Sequence, residues 1–235
     1  MRLSRLALMV AGTVLSTANF AMAVAPYTET FNTDFANWRQ ASSATNAIYT
    51  TSGGPDSTAY ISSDYAFSSA AAPQVIIHRA NDSANSSGDA FVGNWLSAGL
   101  NRFTAYVRHN VPQEMHYFLR LAQNPPAGAI SFELPYAVQP NVWTKLDFDV
   151  SFANPFHTNE SMDNSEAWFN GVLSNVVNMQ LGIVIPNTLT NGTSASAIYR
   201  YDVDNAETSN VPEPASMLLS LAGLATISGV RRRSR

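Results

Sequence analysis

Cysteine is absent from the 235 residues, which removes disulfides, Cys-ligated zinc, iron–sulfur clusters and thiol catalysis at once. Charge is also scarce: 13% of residues are charged, against roughly a quarter in ordinary domains. Ser, Thr, Asn and Ala fill the difference, so the surface is polar but mostly uncharged. Basic residues are scarcest in the middle. Of 13 Lys and Arg, six (Arg2, Arg5, Arg231, Arg232, Arg233 and Arg235) stand at the two ends. The part between is distinctly acidic, and a surface so short of cations cannot neutralise phosphates, which excludes nucleic acid as a partner and leaves cations and neutral polysaccharides. Long stretches of helical period and internal repeats are missing. So is a Gly-x-Ser-x-Gly elbow, and His78, His109, His116 and His157 stand at no metal or triad spacing, so no enzyme is expected.

What remains is a chain of short apolar or alternating runs, with Tyr, Phe, Trp, Val and Ile recurring as they do not in disordered segments. Strands are predicted at Tyr27–Phe31, Ala47–Thr51, Ala59–Ser62, Gln74–His78, Arg102–His109, Met115–Ala122, Ala129–Leu134, Thr144–Ser151, Val177–Ile185 and Ala197–Asp204. Turns fall between them at Gly53-Gly54-Pro55-Asp56, Asn124-Pro125-Pro126, Gln139-Pro140-Asn141 and Asn191-Gly192. Alternation in Phe103-Thr104-Ala105-Tyr106-Val107 and Leu146-Asp147-Phe148-Asp149-Val150 predicts antiparallel sheets with one wet face. A short surface helix is predicted from Ser165 to Phe169. The expected fold is an all-β antiparallel sandwich over residues 24–208.

Both ends carry targeting signals. Arginines at 2 and 5, an apolar run from Leu6 to about Leu15 and the small residues Ala21 and Ala23 form a signal peptide over residues 1–23, to be cut by signal peptidase. Residues 209–235 hold Val211, Pro212, Glu213, Pro214 and Ala215, then an apolar stretch over about 215–230, then the terminal arginines. Sixteen helical residues reach ~24 Å at 1.5 Å each, a marginal transmembrane helix whose arginines stop it on the cytoplasmic side. This order of three parts resembles the PEP-CTERM sorting signal. The resemblance implies an exosortase that cuts near the motif in a Gram-negative bacterium making exopolysaccharide. It makes the tail a transient membrane anchor before transfer to the cell surface or extracellular matrix.

The middle of the chain is similar to galactose-binding, jelly-roll domains, through Glu29-Thr30-Phe31 with Trp38, Gly53-Gly54 with Ala59-Tyr60-Ile61, and Tyr199 to Asn205. That resemblance implies a first and last strand meeting around a structural Ca2+ held by Glu29, Asp202 and Asp204, since calcium takes six to eight oxygens. A strand end leading into a turn shows the same acids. Asp147, Asp149 and Glu133 suggest the paired carboxylates of a glycosidase, yet the Glu-x-Asp-x-x-Glu run of sandwich glycanases is missing. Sugar stacking would use Trp95, Trp143, Trp168 or Tyr136, all near predicted turns, although core packing explains such rings equally well. The expected function is non-enzymatic binding of exopolysaccharide, with a structural matrix or adhesion role as the alternative.

Overall fold

The computed structural model describes residues 25–41, 44–67, 73–123, 128–186, 189 and 197–211. Twelve strands are found among them: β1 Tyr27–Glu29, β2 Arg39–Gln40, β3 Ile48–Thr50, β4 Tyr60–Ala66, β5 Gln74–Asn81, β6 Arg102–His109, β7 Met115–Ala122, β8 Ala129–Val138, β9 Thr144–Asp149, β10 His157–Asn159, β11 Asn178–Val184 and β12 Ile198–Ser209. Two helices, α1 Trp95–Ala98 and α2 Glu166–Leu173, accompany them. The first sheet runs β3-β4-β12-β6-β9, with β1 added against the far half of β12; the second runs β10-β8-β7-β11-β5-β2. Every pairing is antiparallel. The alternating apolar residues of both sheets, among them Phe103, Val107, Leu119, Leu121, Phe132, Leu146, Phe148 and Val203, meet in one core. The architecture is the antiparallel β-sandwich that the alternation predicts.

β6 and β7 keep their predicted bounds, and β12 does not. Asn205 adopts a left-handed backbone (φ 48°) and the register with β6 shifts between Asp204 and Glu207. Asn tolerates that conformation better than most residues, so a β-bulge forms where a turn was expected. The strand then continues, burying Ala206 and Thr208. β2 and β10 escape prediction because two or three residues carry no period. The predicted helix at Ser165 forms one residue later. The Ser165 hydroxyl accepts the Trp168 N–H at 3.1 Å as an N-cap, and Phe169, Val172 and Leu173 are buried.

Two histidines tie the sheets together. His78 Nε2 on β5 donates to Tyr201 O on β12 at 3.0 Å, and its Nδ1 meets Ser63 Oγ at 3.2 Å. In the opposite direction, His109 Nε2 on β6 donates to Val138 O on β8 at 3.0 Å. Burial pushes both imidazoles below their ordinary pKa, that of His78 to about 4, so both stay neutral at physiological pH.

The predicted cleavage residues Ala21 and Ala23, the sorting-motif residues Pro212, Glu213, Pro214 and Ala215, the apolar stretch after them, and Arg231, Arg232, Arg233 and Arg235 lie outside the described residues. Val211 is described. Its N–H donates to Asn101 Oδ1 at 2.7 Å and its carbonyl accepts from Asn101 Nδ2 at 2.9 Å, so one amide side chain holds the end of the sandwich on both sides. Among the described residues no helix is long and apolar enough to cross a membrane.

Candidate functional site

A strand points alternate side chains to opposite faces, so antiparallel register lines up side chains from neighbouring strands into rows across the sheet. On the outer face of the second sheet, register produces three such rows. The middle row crosses all six strands as Arg39, Arg79, Gln180, Arg120, Ser131 and Thr158. One row beside it holds Asn81, Asn178, Ala122 and Ala129; the other holds Ile76, Gly182, Phe118 and Glu133. Gly182 is needed there. A Cβ at that position would collide with the Phe118 ring and stand 2.7 Å from Val75 O, so the missing side chain lets the ring lie down on the sheet.

Two depressions open on this face with Arg120 between them. One, of about 520 Å³, is lined by Asn81, Asp82, Arg120, Gln123, Asn178 and Gln180 with others. The second, of about 320 Å³, is lined by Pro73, Gln74, Ile76, Phe118, Arg120 and Glu160. Together they make a shallow polar groove across the sheet. Arg120 is fixed at its centre. Its Nε and Nη2 donate to the two Glu160 oxygens at 2.7 and 2.6 Å, and its Nη1 donates to Gln180 Oε1 at 2.8 Å. Burial works against the Glu160 carboxylate, but hydrogen bonds from Arg120 and Ser131 and the Arg120 charge hold it below the usual range, so it stays ionised. Glu133 accepts from Gln74 Nε2 at 2.6 Å. A side-chain amide has both a donor and an acceptor, which is what a sugar hydroxyl pair requires. Of those on this face Gln74 is exposed and Asn178 half-buried, while Asn81 and Gln180 are buried and already accept from the Ala84 N–H and Arg120 Nη1.

The predicted sugar-stacking rings are not brought together. Trp95 is fully buried with its Nε1 donating to Phe91 O at 3.1 Å. It is a core residue with no face for a ligand, because the single turn of α1 folds it inward. Trp143 lies on the outer face of the other sheet, where the Arg108 guanidinium stands 4.6 Å from its ring centre and its Nε1 donates to Gly53 O at 3.0 Å. Tyr136 is partly exposed, and its hydroxyl donates to Lys145 O at 3.2 Å. Trp168 comes near the groove without lining it. Its ring packs so close to Gly128, which lines the larger depression, that a Cβ there would stand 2.8 Å from it.

The implied calcium ligands do not assemble either. Asp202 and Asp204 share the outer face of the first sheet, but Asp202 Oδ2 takes Arg108 Nε at 2.8 Å and Nη2 at 2.7 Å. Asp204 Oδ2 accepts from Thr58 Oγ1 at 2.6 Å and its Oδ1 from the Asn205 N–H at 2.7 Å. Glu29 turns back on its own strand, accepting from the Phe31 N–H at 3.0 Å and the Tyr27 hydroxyl at 3.2 Å. No group of three or more acidic or histidine side chains is placed to hold a metal ion among the described residues. Arg108, Thr58 and the Asn205 N–H occupy three of the four aspartate oxygens a cation would need, and the fourth, Asp202 Oδ1, is buried without a partner among the described residues. Asp147 pairs with Arg102 on the first sheet, a sheet away from Glu133, so those carboxylates do not converge.

No family model matches the chain, and no curated protein does. Solved structures do. Endo-1,4-beta-D-xylanase 10B modules of Clostridium thermocellum, complexed with xylohexaose, are similar over 79% of this chain at 10% identity and a TM-score of 0.46. An exo-beta-agarase is similar over 78% at 11% identity and a TM-score of 0.45. This chain spans 28% and 25% of the length of those two. The L4b domain of human laminin alpha-2 is similar over 80% of this chain and 100% of its own length, at 8% identity and a TM-score of 0.36.

Proposed function

We propose that the sandwich is a non-enzymatic carbohydrate-binding module of jelly-roll type that holds exopolysaccharide in the groove of the second sheet. The observation that carries this reading is the pair of open depressions flanking Arg120, lined on one side by the Asn178 amide and on the other by the exposed Gln74. Such a groove admits a polymer lengthwise, and amide and guanidinium groups match vicinal hydroxyls by paired hydrogen bonds. The state of Glu160 supports the non-enzymatic part of this reading. A glycosidase acid must be pushed up in pKa so that it holds a proton, whereas Glu160 is pushed down by its arginine.

The sequence of the two ends supports the cellular setting of this reading. The chain crosses the inner membrane by its signal peptide, rests there on the apolar stretch after Pro214, and is moved to the surface by an exosortase. The test is binding of the full chain to a glycan array and to exopolysaccharide of the source organism, with calcium and again with EDTA. Saturable binding in the millimolar to micromolar range, ~4 to 8 kcal/mol, is expected in both buffers. A folded protein that binds no polysaccharide in either buffer would sink the module reading and favour a matrix role without a small ligand.

A further inference from the structure

The middle row of the groove differs from the rest of the molecule in its charge. Arg102, Arg108 and Arg200 on the first sheet are each matched to a carboxylate, of Asp147, Asp202 and Asp64, and Arg120 is matched to Glu160. Arg39 and Arg79 are the two arginines that meet no carboxylate among the described residues. Arg39 donates to Asn46 Oδ1, and Arg79 Nε donates to Ala41 O at 3.1 Å. They stand directly opposite one another on β2 and β5, with Arg120 two strands further along the same row. Arg39 Nε is buried without any acceptor. Burial and the like charge of Arg120 both disfavour the cation on Arg79. Placing two arginines without acids opposite one another, with the paired Arg120 further along the row, is a costly arrangement that a bound anion would relieve.

Given that the groove is a glycan site, we propose that its ligand is an acidic polysaccharide, whose uronic-acid carboxylates lie on the unpaired Arg39–Arg79 end of the row, beside the depressions, while its hydroxyls meet Gln74 and Asn178. Strands stand ~4.8 Å apart, so Arg79 and Arg120 are separated by about 10 Å, the scale of a disaccharide rather than of one ring. Guanidinium suits this task because its planar fork takes a carboxylate in two parallel hydrogen bonds. Asp82 and Glu160 border the two depressions, so the carboxylates of the ligand are met by the arginine row and not within the depressions.

The experiment compares polygalacturonate with its fully methyl-esterified form, which keeps the backbone and removes the charge, on the immobilised full chain. Polygalacturonate should bind about tenfold or more tighter than the ester, as expected when a charge-assisted contact is lost, and the gap should close as salt rises. Equal binding of the two polymers would overturn the acidic-ligand proposal while leaving the glycan groove standing. Failure of both polymers and of every other polysaccharide would overturn the groove itself. Displacement of polygalacturonate by single-stranded DNA at equal charge concentration would also overturn the proposal. Arg79→Gln should bring the ratio between acid and ester towards one. Arg200→Gln, on the opposite sheet, should leave the ratio as it is. If Arg79→Gln fails to fold, the comparison of acid and ester on the unaltered chain still decides.

Discussion

The outer faces of the two sheets are built from the same kinds of residue and use them differently. On the first sheet, the arginines are each matched to a carboxylate, although Asp202 Oδ1 and Ser62 Oγ are buried without a partner among the described residues. Arg108 pairs with Asp202, lies over the Trp143 and Tyr60 rings at 4.6 and 5.3 Å, and Trp143 bonds the Gly53 carbonyl, so that the 53–60 segment closes over the middle of the sheet. Asp202 is 4% exposed and Asp204 is fully buried although both point away from the core. Burial raises the pKa of Asp202, with the Arg108 hydrogen bonds working against it, and burial likewise raises that of Asp204. On the second sheet the corresponding face stays open and two arginines lack acids. Polar residues on a sheet make a binding surface only where they are not already satisfied by one another.

The sharpest way to break this contrast is to remove the lid of the closed face. Arg108→Ala takes the counter-ion from a buried carboxylate and the cation from two aromatic rings. A loss of about 3 kcal/mol of folding stability is expected, as for other broken buried pairs, read as a lower midpoint in urea unfolding. Glycan binding by the folded fraction should be unchanged. A loss below about 1 kcal/mol would mean that the face is effectively wet and the pair no more than a surface contact.

How much of this could be read from the sequence follows from the range of the interactions. β6 and β7 were legible because Phe103, Ala105 and Val107, and Met115, Tyr117 and Leu119, alternate strictly and all point into the core. Ser165 was legible as a helix start because capping is local. The groove was not. Arg39, Arg79, Gln180 and Arg120 come from four strands distant in the chain, and only their register makes them neighbours. The same holds for Arg108, whose place opposite Asp202 depends on how β6 pairs with β12. Trp95 read as a turn-side ring because one helical turn has no detectable period. Aspartates at 202 and 204 read as cation ligands because nothing in the sequence says which partner reaches them first.

Acid should act on the two faces alike, since the histidine links lie between them. His78 is fully buried with a pKa near 4, below its unfolded value of about 6.5, so the unfolded chain binds more protons throughout that interval. Stability contributed by neutral His78 is complete above about pH 6.5 and declines as pH falls towards 4, by up to ~3 kcal/mol. Asp202 and Asp204 oppose this, because their raised pKa values favour the folded state once they protonate. The expected profile is therefore a fall in melting temperature between pH 6.5 and about 4, with partial relief below. His78→Leu should flatten the fall. A His78→Leu profile as steep as that of the unaltered chain would remove the link from the account.

The smallest effect separates exposed pairing from buried pairing on the same face. Arg102 engages both oxygens of Asp147 between β6 and β9, whereas Arg108 meets only Oδ2 of Asp202, but the Arg102 and Asp147 side chains are 38% and 43% exposed. Solvent screens such a pair, and holding two long side chains together has an entropy cost, so Arg102→Ala should lower stability by only about 0.5 kcal/mol. The difference should shrink further in high salt, while the effect of Arg108→Ala should not. If the two substitutions prove equally damaging, burial is not what sets the closed face apart, and the reason for its quietness must lie in the number of its pairs and not in their desolvation.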